Sequence, residues 1–410
     1  MGGHGCRCGL SVCSGAALKE GAERKDFMEA YLDNSATTRV FPEVGELVMR
    51  AMAEDYGNPS SMHRKGVEAE KYIKEATAGL AKLLKVQDKE LFYTSGGTES
   101  DNWALIGTAM ANRREGDHII VTDMEHPAVS APADYLEKQG FSVTRLPVDR
   151  QGRVDPGTLA EAVTDRTILA SVMYVNNEIG SVQDIAALAE CVHRKNPRTY
   201  FHTDAIQAFG KYRIYPKRQG IDLLSASSHK IHGPKGVGLL YVDSRVKIVP
   251  VIHGGGQQQG MRSGTDNVPG VAGFGLAARL SYEEFEAKRE HFYKLKKRLT
   301  EGLLAMENVV IHGMAPEEGA PHIVSAAFPG VRSEVLLHSL EDRGVYVSAG
   351  SACSTHKRNA SPTMRAIHAP RELSEATVRF SMAETTTQEE IEYCLETLGK
   401  LLGTLRRYKR

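Results

Sequence analysis

The chain has 410 residues, of which 41% are hydrophobic and 25% are charged, and its 51 basic side chains equal its 51 acidic ones. This length suits one large domain and a smaller one, and the composition is that of a globular protein. The zero formal charge argues against a nucleic-acid or anionic-membrane surface as the main partner, because both need a concentrated positive field. No apolar run approaches the roughly 20 residues of a membrane-spanning helix. We therefore expect a soluble protein with neither kind of partner.

The cysteines are few and unevenly placed, at Cys6, Cys8, Cys13, Cys191, Cys353 and Cys394. Such sparse use favours a reducing compartment, and we expect the cytoplasm. The first three lie in residues 1–26, a stretch rich in Gly, Ser and Ala that we interpret as a disordered tail. They lack the second ligand pair of a zinc site, so no metal site is expected.

Periodic patterns begin near Phe27 and alternate from there between strand and helix. A short strand near Tyr31 precedes a helix that begins at Pro42, and an amphipathic helix follows. Helical patterns then separate seven apolar runs, at residues 91–93, 118–121, 142–146, 167–175, 200–202, 221–224 and 238–242. This alternation predicts an α/β fold with a mainly parallel seven-stranded sheet between helices.

The last third of the sequence has a different organisation. A long charged helix over residues 282–306 leads to three strand patterns, 323–328, 345–348 and 376–381, and to helices over 334–343 and 388–405. This mixture predicts a smaller α+β domain. We expect residues 38–285 to form the large domain, and residues 27–37 together with 286–410 to form the small one.

Lys230 lies where a buried apolar run gives way to a Gly-Pro turn. A lysine that is partly desolvated there has a depressed pKa, and its neutral amine can form a Schiff base with an aldehyde. An ordinary solvated lysine is the alternative interpretation of this residue alone.

Other polar residues also follow strand patterns, where ligands of parallel sheets bind. Gly97 and Thr98 lie between a strand pattern and a helical pattern over residues 103–112, where free amides at a helix start suit a phosphate, although a capping turn has the same pattern. Asp204 could pair with a protonated pyridine nitrogen, with Gln207 near a ring oxygen; an Asp at this point also caps helices. His126 could stack on a flat cofactor and shuttle protons.

The second predicted domain contributes a cysteine and an arginine. Cys353 lies among small, polar and basic residues, which favours an exposed thiolate, whereas Cys191 and Cys394 fall on apolar helix faces and are expected to pack. Arg379 lies in a strand pattern and can grip a carboxylate with two parallel hydrogen bonds. The alternative interpretation of Arg379 is an ordinary arginine on the face of a strand.

Seven segments of the sequence form a recognisable set of motifs: YLDNSATT at 31–38, TSGGTES at 94–100, EH at 125–126, VNNEIG at 175–180, SHK at 228–230, RSGT at 262–265 and GSAC at 350–353. Together they resemble the motifs of cysteine desulfurases, which are pyridoxal-phosphate enzymes of fold type I in the class V aminotransferase group. The resemblance runs from about residue 30 to the C-terminus. It therefore implies a large pyridoxal-phosphate-binding domain followed by a small domain with a cysteine loop at about 351–362.

The resemblance also implies roles for individual residues around pyridoxal 5'-phosphate. Lys230 would hold the cofactor covalently, His126 would lie against its ring, Asp204 would pair with the pyridine nitrogen and Gln207 would contact the phenolic oxygen. The phosphate ligands would be Gly97, Thr98, Ser227 and His229, together with Thr265 from a neighbouring subunit. A homodimer with shared sites is therefore expected.

The implied reaction converts L-cysteine to L-alanine. Asn177 and Arg379 would hold the substrate carboxylate, and Cys353 would take the sulfur as a persulfide, with Lys230 and His126 as the other catalytic residues. The sulfur would pass to an acceptor protein such as an iron–sulfur scaffold, for cluster assembly or for tRNA thiolation. The alternatives are a selenocysteine lyase, another class V aminotransferase-type enzyme that would not need Cys353, and a non-catalytic scaffold.

Overall fold

The computed structural model describes residues 28–349 and 361–408. A short strand β1 (Ala30–Tyr31) precedes the strands of a seven-stranded sheet, which are β2 (Leu91–Thr94), β3 (His118–Thr122), β4 (Ser142–Leu146), β5 (Thr167–Ser171), β6 (Tyr200–Asp204), β7 (Leu223–Ser227) and β8 (Gly238–Val242). Their order in the sheet is β2-β8-β7-β6-β5-β3-β4. Strands β3 to β7 are parallel, and β8 is antiparallel to both of its neighbours. The predicted mainly parallel sheet is confirmed.

Helices cover both faces of this sheet. They are α1 (Pro42–Ala53), α2 (Arg64–Leu84), α3 (Gly97–Asn102), α4 (Thr108–Asn112), α5 (Pro127–Lys138), α6 (Pro156–Ala162), α7 (Ile185–Lys195), α8 (Pro216–Gln219) and α9 (Val268–Tyr282). Strand β8 is buried on both faces of the sheet. Leu239 and Tyr241 pack in one core cluster, while Leu240 and Val242 pack in another. Strands buried on both faces appear in the sequence as continuous apolar runs.

The helix after β2 begins earlier than the sequence pattern predicts. We expected it from Trp103, but α3 begins at Gly97 and continues through a π-helical turn (Trp103–Gly107) into α4. The first turn of α3 is polar, so it lacks the apolar periodicity from which a helix is predicted. A Cβ on Gly97 would lie 2.1 Å from Cδ1 of Ile206, so a larger residue here would require that side chain to move.

A second sheet lies in the last third of the chain. After helix α10 (Phe285–Leu304) come β9 (Val310–His312), β10 (Ile323–Ala327), α11 (Ser333–Glu341), β11 (Val345–Tyr346), β12 (Ser348–Ala349), α12 (Pro362–Ala366), α13 (Arg371–Glu375), β13 (Thr377–Ser381) and α14 (Gln388–Leu405). The four-stranded sheet has the order β12-β13-β10-β9, and β1 pairs separately with β11. The predicted strands and helices of this region are present, except that the pattern at 345–348 forms two short strands, β11 and β12, in different sheets.

The N-terminal strand packs with this second sheet. Leu32 shares a core cluster with Phe328, Phe380 and Leu398. These contacts support the assignment of residues 27–37 to the small domain, while the domain boundaries themselves stay a prediction. Over the described residues, no helix combines the length and apolarity that crossing a membrane requires.

Candidate active site

A cavity of about 510 Å³ lies between the large sheet and strand β13. Ten of the predicted site residues line it: Gly97, Thr98, His126, Asn177, Asp204, Gln207, Ser227, His229, Lys230 and Arg379. Thr265 is exposed and is not part of this lining. Cys353 and most of its predicted loop lie outside the described residues.

The topology of the sheet explains this convergence. Asp204 ends β6 and Ser227 ends β7, while His126 follows β3 by a short turn. Because β3, β6 and β7 are parallel members of one sheet, their carboxyl ends meet at a single edge. Residues that are far apart in the sequence therefore face one space.

Lys230 ends a single 3₁₀ turn, Ser228–Lys230, directly after β7. Its Nζ donates hydrogen bonds to the backbone carbonyls of Ser35 and Ala36, the latter at 2.7 Å. Lys211 supports this turn from behind, because its Nζ donates to the carbonyl oxygen of Lys230. Burial lowers the pKa of Lys211 to about 8.

Asp204 and His126 are an acid and a base that share one buried environment. Burial raises the pKa of Asp204, and the neighbouring His126 and Lys230 oppose this rise. His126 accepts a hydrogen bond at Nδ1 from the backbone N–H of Ala128 at 3.1 Å, and burial lowers its pKa. The ring is therefore neutral at pH 7 with its proton on Nε2, the nitrogen left for the cavity.

A second acidic group lies behind Asp204. Asp101 is fully buried, and Nε2 of His202 lies 3.6 Å from its Oδ1. Burial raises the pKa of Asp101, raises that of Glu125 to about 8 and lowers that of His202 to about 3. At pH 7 the side chains of Asp101, Glu125 and His202 are therefore largely neutral. Of these buried groups and Asp204, only Asp204 lines the cavity, where Lys230 also lies.

Polar groups at one end of the cavity suit an anion. The Ser227 hydroxyl is buried and has no hydrogen-bond partner among the described residues. His229 Nδ1 lies 3.3 Å from Oγ1 of Thr37, and burial, followed by the charge of Lys230, lowers the pKa of His229 to about 4. Together with the amides that open α3 at Gly97, these donors fit a phosphate group.

Arg379 projects from β13 at another side of the cavity. Its Nη1 donates to the backbone carbonyl of Asn177 at 2.8 Å, and its Nη2 donates to Oδ1 of Asp33 at 2.7 Å. Within the described part of the chain its buried Nε has no hydrogen-bond partner. A carboxylate ligand would therefore compete with Asp33 for this guanidinium.

Sequence reasoning gave no role to two acidic residues that line the cavity. Asp33 lies in the segment at 31–38 and Glu178 in the segment at 175–180, so the motifs contained the signal. Glu178 is half-buried and accepts hydrogen bonds from the hydroxyls of Ser361, at 2.5 Å, and Thr363, at 3.1 Å. It thereby anchors the chain immediately after residues 350–360.

The two cysteines that were expected to pack are buried free thiols. Cys394 is fully buried, and burial raises its pKa to about 12. Cys191 donates from Sγ to the carbonyl oxygen of Pro156 at 3.1 Å. The thiolate form that a nucleophile needs is disfavoured at Cys394.

Comparisons with known proteins agree with this site. A family profile described as Aminotransferase class-V matches residues 30–394. The cysteine desulfurase IscS of Methanosarcina thermophila is 43% identical over 376 residues, which cover 92% of either chain. The cysteine desulfurase IscS of Escherichia coli O139:H28 is 43% identical over 381 residues, which cover 92% of this chain and 93% of that protein.

Solved structures show the same architecture. A NifS-like protein matches with a TM-score of 0.87 at 37% identity and covers 92% of this chain and 100% of its own. The structure described as SspA in complex with cysteine matches with a TM-score of 0.76 at 30% identity and covers 87% of this chain and 100% of its own. The expected fold type I architecture is confirmed, and the chain belongs to the cysteine desulfurases of the class V aminotransferase family.

Proposed function

We propose that this chain is a pyridoxal-phosphate-dependent cysteine desulfurase, which converts L-cysteine to L-alanine and takes up the sulfur on Cys353. The observation that carries the proposal is the meeting of Lys230, Asp204 and Arg379 in one cavity. A lysine amine, a buried acid and a carboxylate-binding guanidinium are the groups that an amino-acid reaction on this cofactor needs.

The residues around the cavity fit pyridoxal phosphate. Lys230 would hold it covalently, Asp204 would face its pyridine nitrogen and Gln207 its phenolic oxygen. The donors for its phosphate would be Gly97, Thr98, Ser227 and His229, and the unpaired buried hydroxyl of Ser227 supports this assignment. When bound, the cofactor draws electrons from the substrate carbon that carries the amine.

The protein's own residues then orient the substrate and move its protons. The guanidinium of Arg379 and the side chain of Asn177 would bind the carboxylate of cysteine. Displacement of Asp33 from Arg379 would accompany that binding, because both carboxylates need the same N–H groups. The neutral His126, with its proton on Nε2, can donate to a developing anion and take the proton back.

Cys353 would supply the nucleophile. Its thiolate attacks the sulfur of cysteine, the carbon–sulfur bond breaks, and the bonding electron pair stays on the carbon, which takes up a proton and becomes the methyl group of alanine. A persulfide remains on Cys353. The described chain resumes at Ser361, which is anchored by Glu178 at the cavity, and this supports the proposed role of Cys353.

We also propose a homodimer and a protein acceptor for the sulfur. Met49, Met52, Tyr56 and Met62 are exposed apolar side chains on and after α1, which supports an interface with a second copy. Thr265, exposed on this chain, would reach the phosphate in the neighbouring subunit. The acceptor would be a protein such as an iron–sulfur scaffold, with tRNA thiolation as a second use, and the free thiols Cys191 and Cys394 support a reducing compartment such as the cytoplasm.

Product analysis with L-cysteine tests the reaction. The purified protein should show a visible chromophore and release alanine, whereas Lys230→Ala should lose both. Lys74→Ala, which changes an exposed lysine on α2, is the matched control and should behave as wild type. Release of a keto acid instead of alanine would point to amino transfer, and cleavage of selenocysteine but not cysteine would point to a lyase.

A further inference from the structure

We propose that His322 is a positioning residue that fixes the side-chain amide of Gln207 with an N–H group toward the cavity, so that Gln207 donates to the cofactor's phenolic oxygen. This inference rests on the function proposed above. His322 does not line the large cavity, and it precedes β10 directly in a segment without a recognised motif.

Two contacts fix the Gln207 amide from opposite sides. Its Nε2 donates to the carbonyl oxygen of Ser35 at 3.0 Å, and its Oε1 lies 3.3 Å from Nε2 of His322. A backbone carbonyl can only accept, so the amide nitrogen must face Ser35. The amide oxygen therefore faces His322, which must donate.

The state of the imidazole agrees with this direction. His322 is 1% exposed, and its ring packs edge to face against Phe292 with 6.3 Å between centroids. Burial holds its pKa well below the usual range, and the nearby cations add to this effect; they are Lys211, Lys296, Arg379 and Lys230. A neutral imidazole has one N–H, and the contact with Gln207 places it on Nε2.

The other ring nitrogen of His322 is available as an acceptor. Nδ1 of His322 is buried and has no hydrogen-bond partner among the described residues. His322 lines a separate small cavity of about 20 Å³ together with Lys211, Lys288 and Glu384. This volume is enough for one water molecule, and these neighbours provide polar partners for it. Nδ1 can therefore act as an acceptor while Nε2 donates.

The contact determines what Gln207 offers to a ligand. Its oxygen is taken by His322 and one N–H by Ser35, which leaves the second N–H as the amide's free hydrogen-bonding group. A donor at this position favours an ionised phenolic oxygen over a neutral hydroxyl. The negative charge on the ionised oxygen is greatest when the adjacent Schiff-base nitrogen has lost its proton. A donor to this oxygen therefore stabilises the deprotonated form and should lower the pKa of the bound chromophore.

A pH titration of the visible absorption band tests this role. In His322→Leu the amide oxygen of Gln207 loses its donor, and because an unpaired buried oxygen is costly, it should turn toward the donors of the large cavity. The chromophore pKa should then rise by about 0.5 to 1 unit. His322→Gln restores an N–H near the position of Nε2 and should titrate as wild type.

Three further variants make the test specific. His322→Phe also removes both nitrogens, retains the contact with Phe292 and replaces His322→Leu if that variant fails to accumulate. His118→Leu removes another buried histidine, bonded to Thr167 and Thr144 on β5 and β4, and should leave the chromophore pKa unchanged. In a Gln207→Leu background, His322→Leu should add no further shift, because the residue through which it acts is gone.

The outcomes separate this inference from the proposed function. An unchanged chromophore pKa in both His322→Leu and His322→Phe would overturn the role of His322, as would a shift that adds fully to that of Gln207→Leu. Absence of any chromophore in the wild-type protein, after addition of pyridoxal phosphate, would instead overturn the proposed function.

Discussion

At the scale of single residues, the neighbouring charge distinguishes two buried acids at the site. Burial raises the pKa of both Asp204 and Glu125, the latter to about 8, but Lys230 lies near Asp204 and its charge opposes the rise there. The side chains are close in space, but their charges at pH 7 are expected to differ. Asp204 therefore suits a protonated ring nitrogen, while Glu125 acts as a neutral hydrogen-bonding group.

Neutral amide substitutions distinguish these two acids. Asp204→Asn removes the acid that would pair with the ring nitrogen, so kcat/KM for cysteine should fall about 100-fold or more. Glu125→Gln resembles the protonated acid, and kcat/KM should change by less than about tenfold. Steady-state rates of alanine formation measure both effects. Equal losses in the two variants would show that charge does not distinguish the residues.

The buried His202 gives a pH dependence of stability with a definite sign. Its pKa is about 3 in the folded protein, against about 6.5 in an unfolded chain. Between these values the unfolded chain binds a proton that the folded chain does not, so His202 lowers the free energy of unfolding as pH falls below about 6.5. The loss between pH 7 and pH 5 from this residue should be about 2 kcal/mol.

Denaturant unfolding of His202→Asn at both pH values measures this contribution. The decrease in unfolding free energy from pH 7 to pH 5 should be about 2 kcal/mol smaller than in the wild type. His338→Asn, which replaces an exposed histidine on α11, serves as the control and should keep the wild-type pH dependence. An identical decrease in wild type and His202→Asn would contradict a depressed pKa at this residue.

At the scale of elements, Glu178 connects the loop after β5 to helix α12. It accepts hydrogen bonds from Ser361 and Thr363, the residues that follow the segment containing Cys353. Glu178→Ala should release this end of the segment and lower the rate of alanine formation about tenfold, because a nucleophile that is less well placed reacts more slowly. The visible spectrum should not change.

An exposed acid on the next helix is the matched control for Glu178. Glu375 pairs with Arg371 on α13 at the surface, and Glu375→Ala should alter the rate by less than about twofold. Loss of the chromophore in Glu178→Ala would show a role in binding the cofactor, which the anchoring account does not predict.

Some secondary-structure elements could be predicted from the sequence and others could not. The central strands of the large sheet were predictable, because strands buried on both faces form apolar runs. The start of α3 at Gly97 was not predictable, since its first turn is polar. The site motifs identified the residues at the strand ends, but not the side chains that orient them. His322 is 115 residues from Gln207 and meets it only through the fold.

At the scale of the whole molecule, the position of Thr265 is consistent with a shared site. It is exposed and outside the cavity of its own chain. Sedimentation should therefore give twice the chain mass of 44.9 kDa. Thr265→Ala should weaken cofactor binding about tenfold or more through loss of a hydrogen bond to phosphate.

Hybrid dimers test whether the threonine acts across the interface. In a dimer of one Thr265→Ala chain and one Lys230→Ala chain, the site with an intact Lys230 receives its threonine from the other chain. Such a dimer should bind one cofactor with wild-type affinity, measured by titration of the visible band. If the threonine served its own chain, the hybrid would have no intact site.

The central claim is that Cys353 receives the sulfur of cysteine, and peptide mass spectrometry of the holoenzyme tests it most directly. After incubation with L-cysteine without reductant, the peptide containing Cys353 should gain the mass of one sulfur atom and the protein should release one alanine per active site. The control variant Cys394→Ser should gain the same mass on the Cys353 peptide and release the same amount of alanine as the wild type. Cys353→Ala should keep its chromophore and release almost no alanine; release of alanine and sulfide at the wild-type rate by this variant would contradict the account.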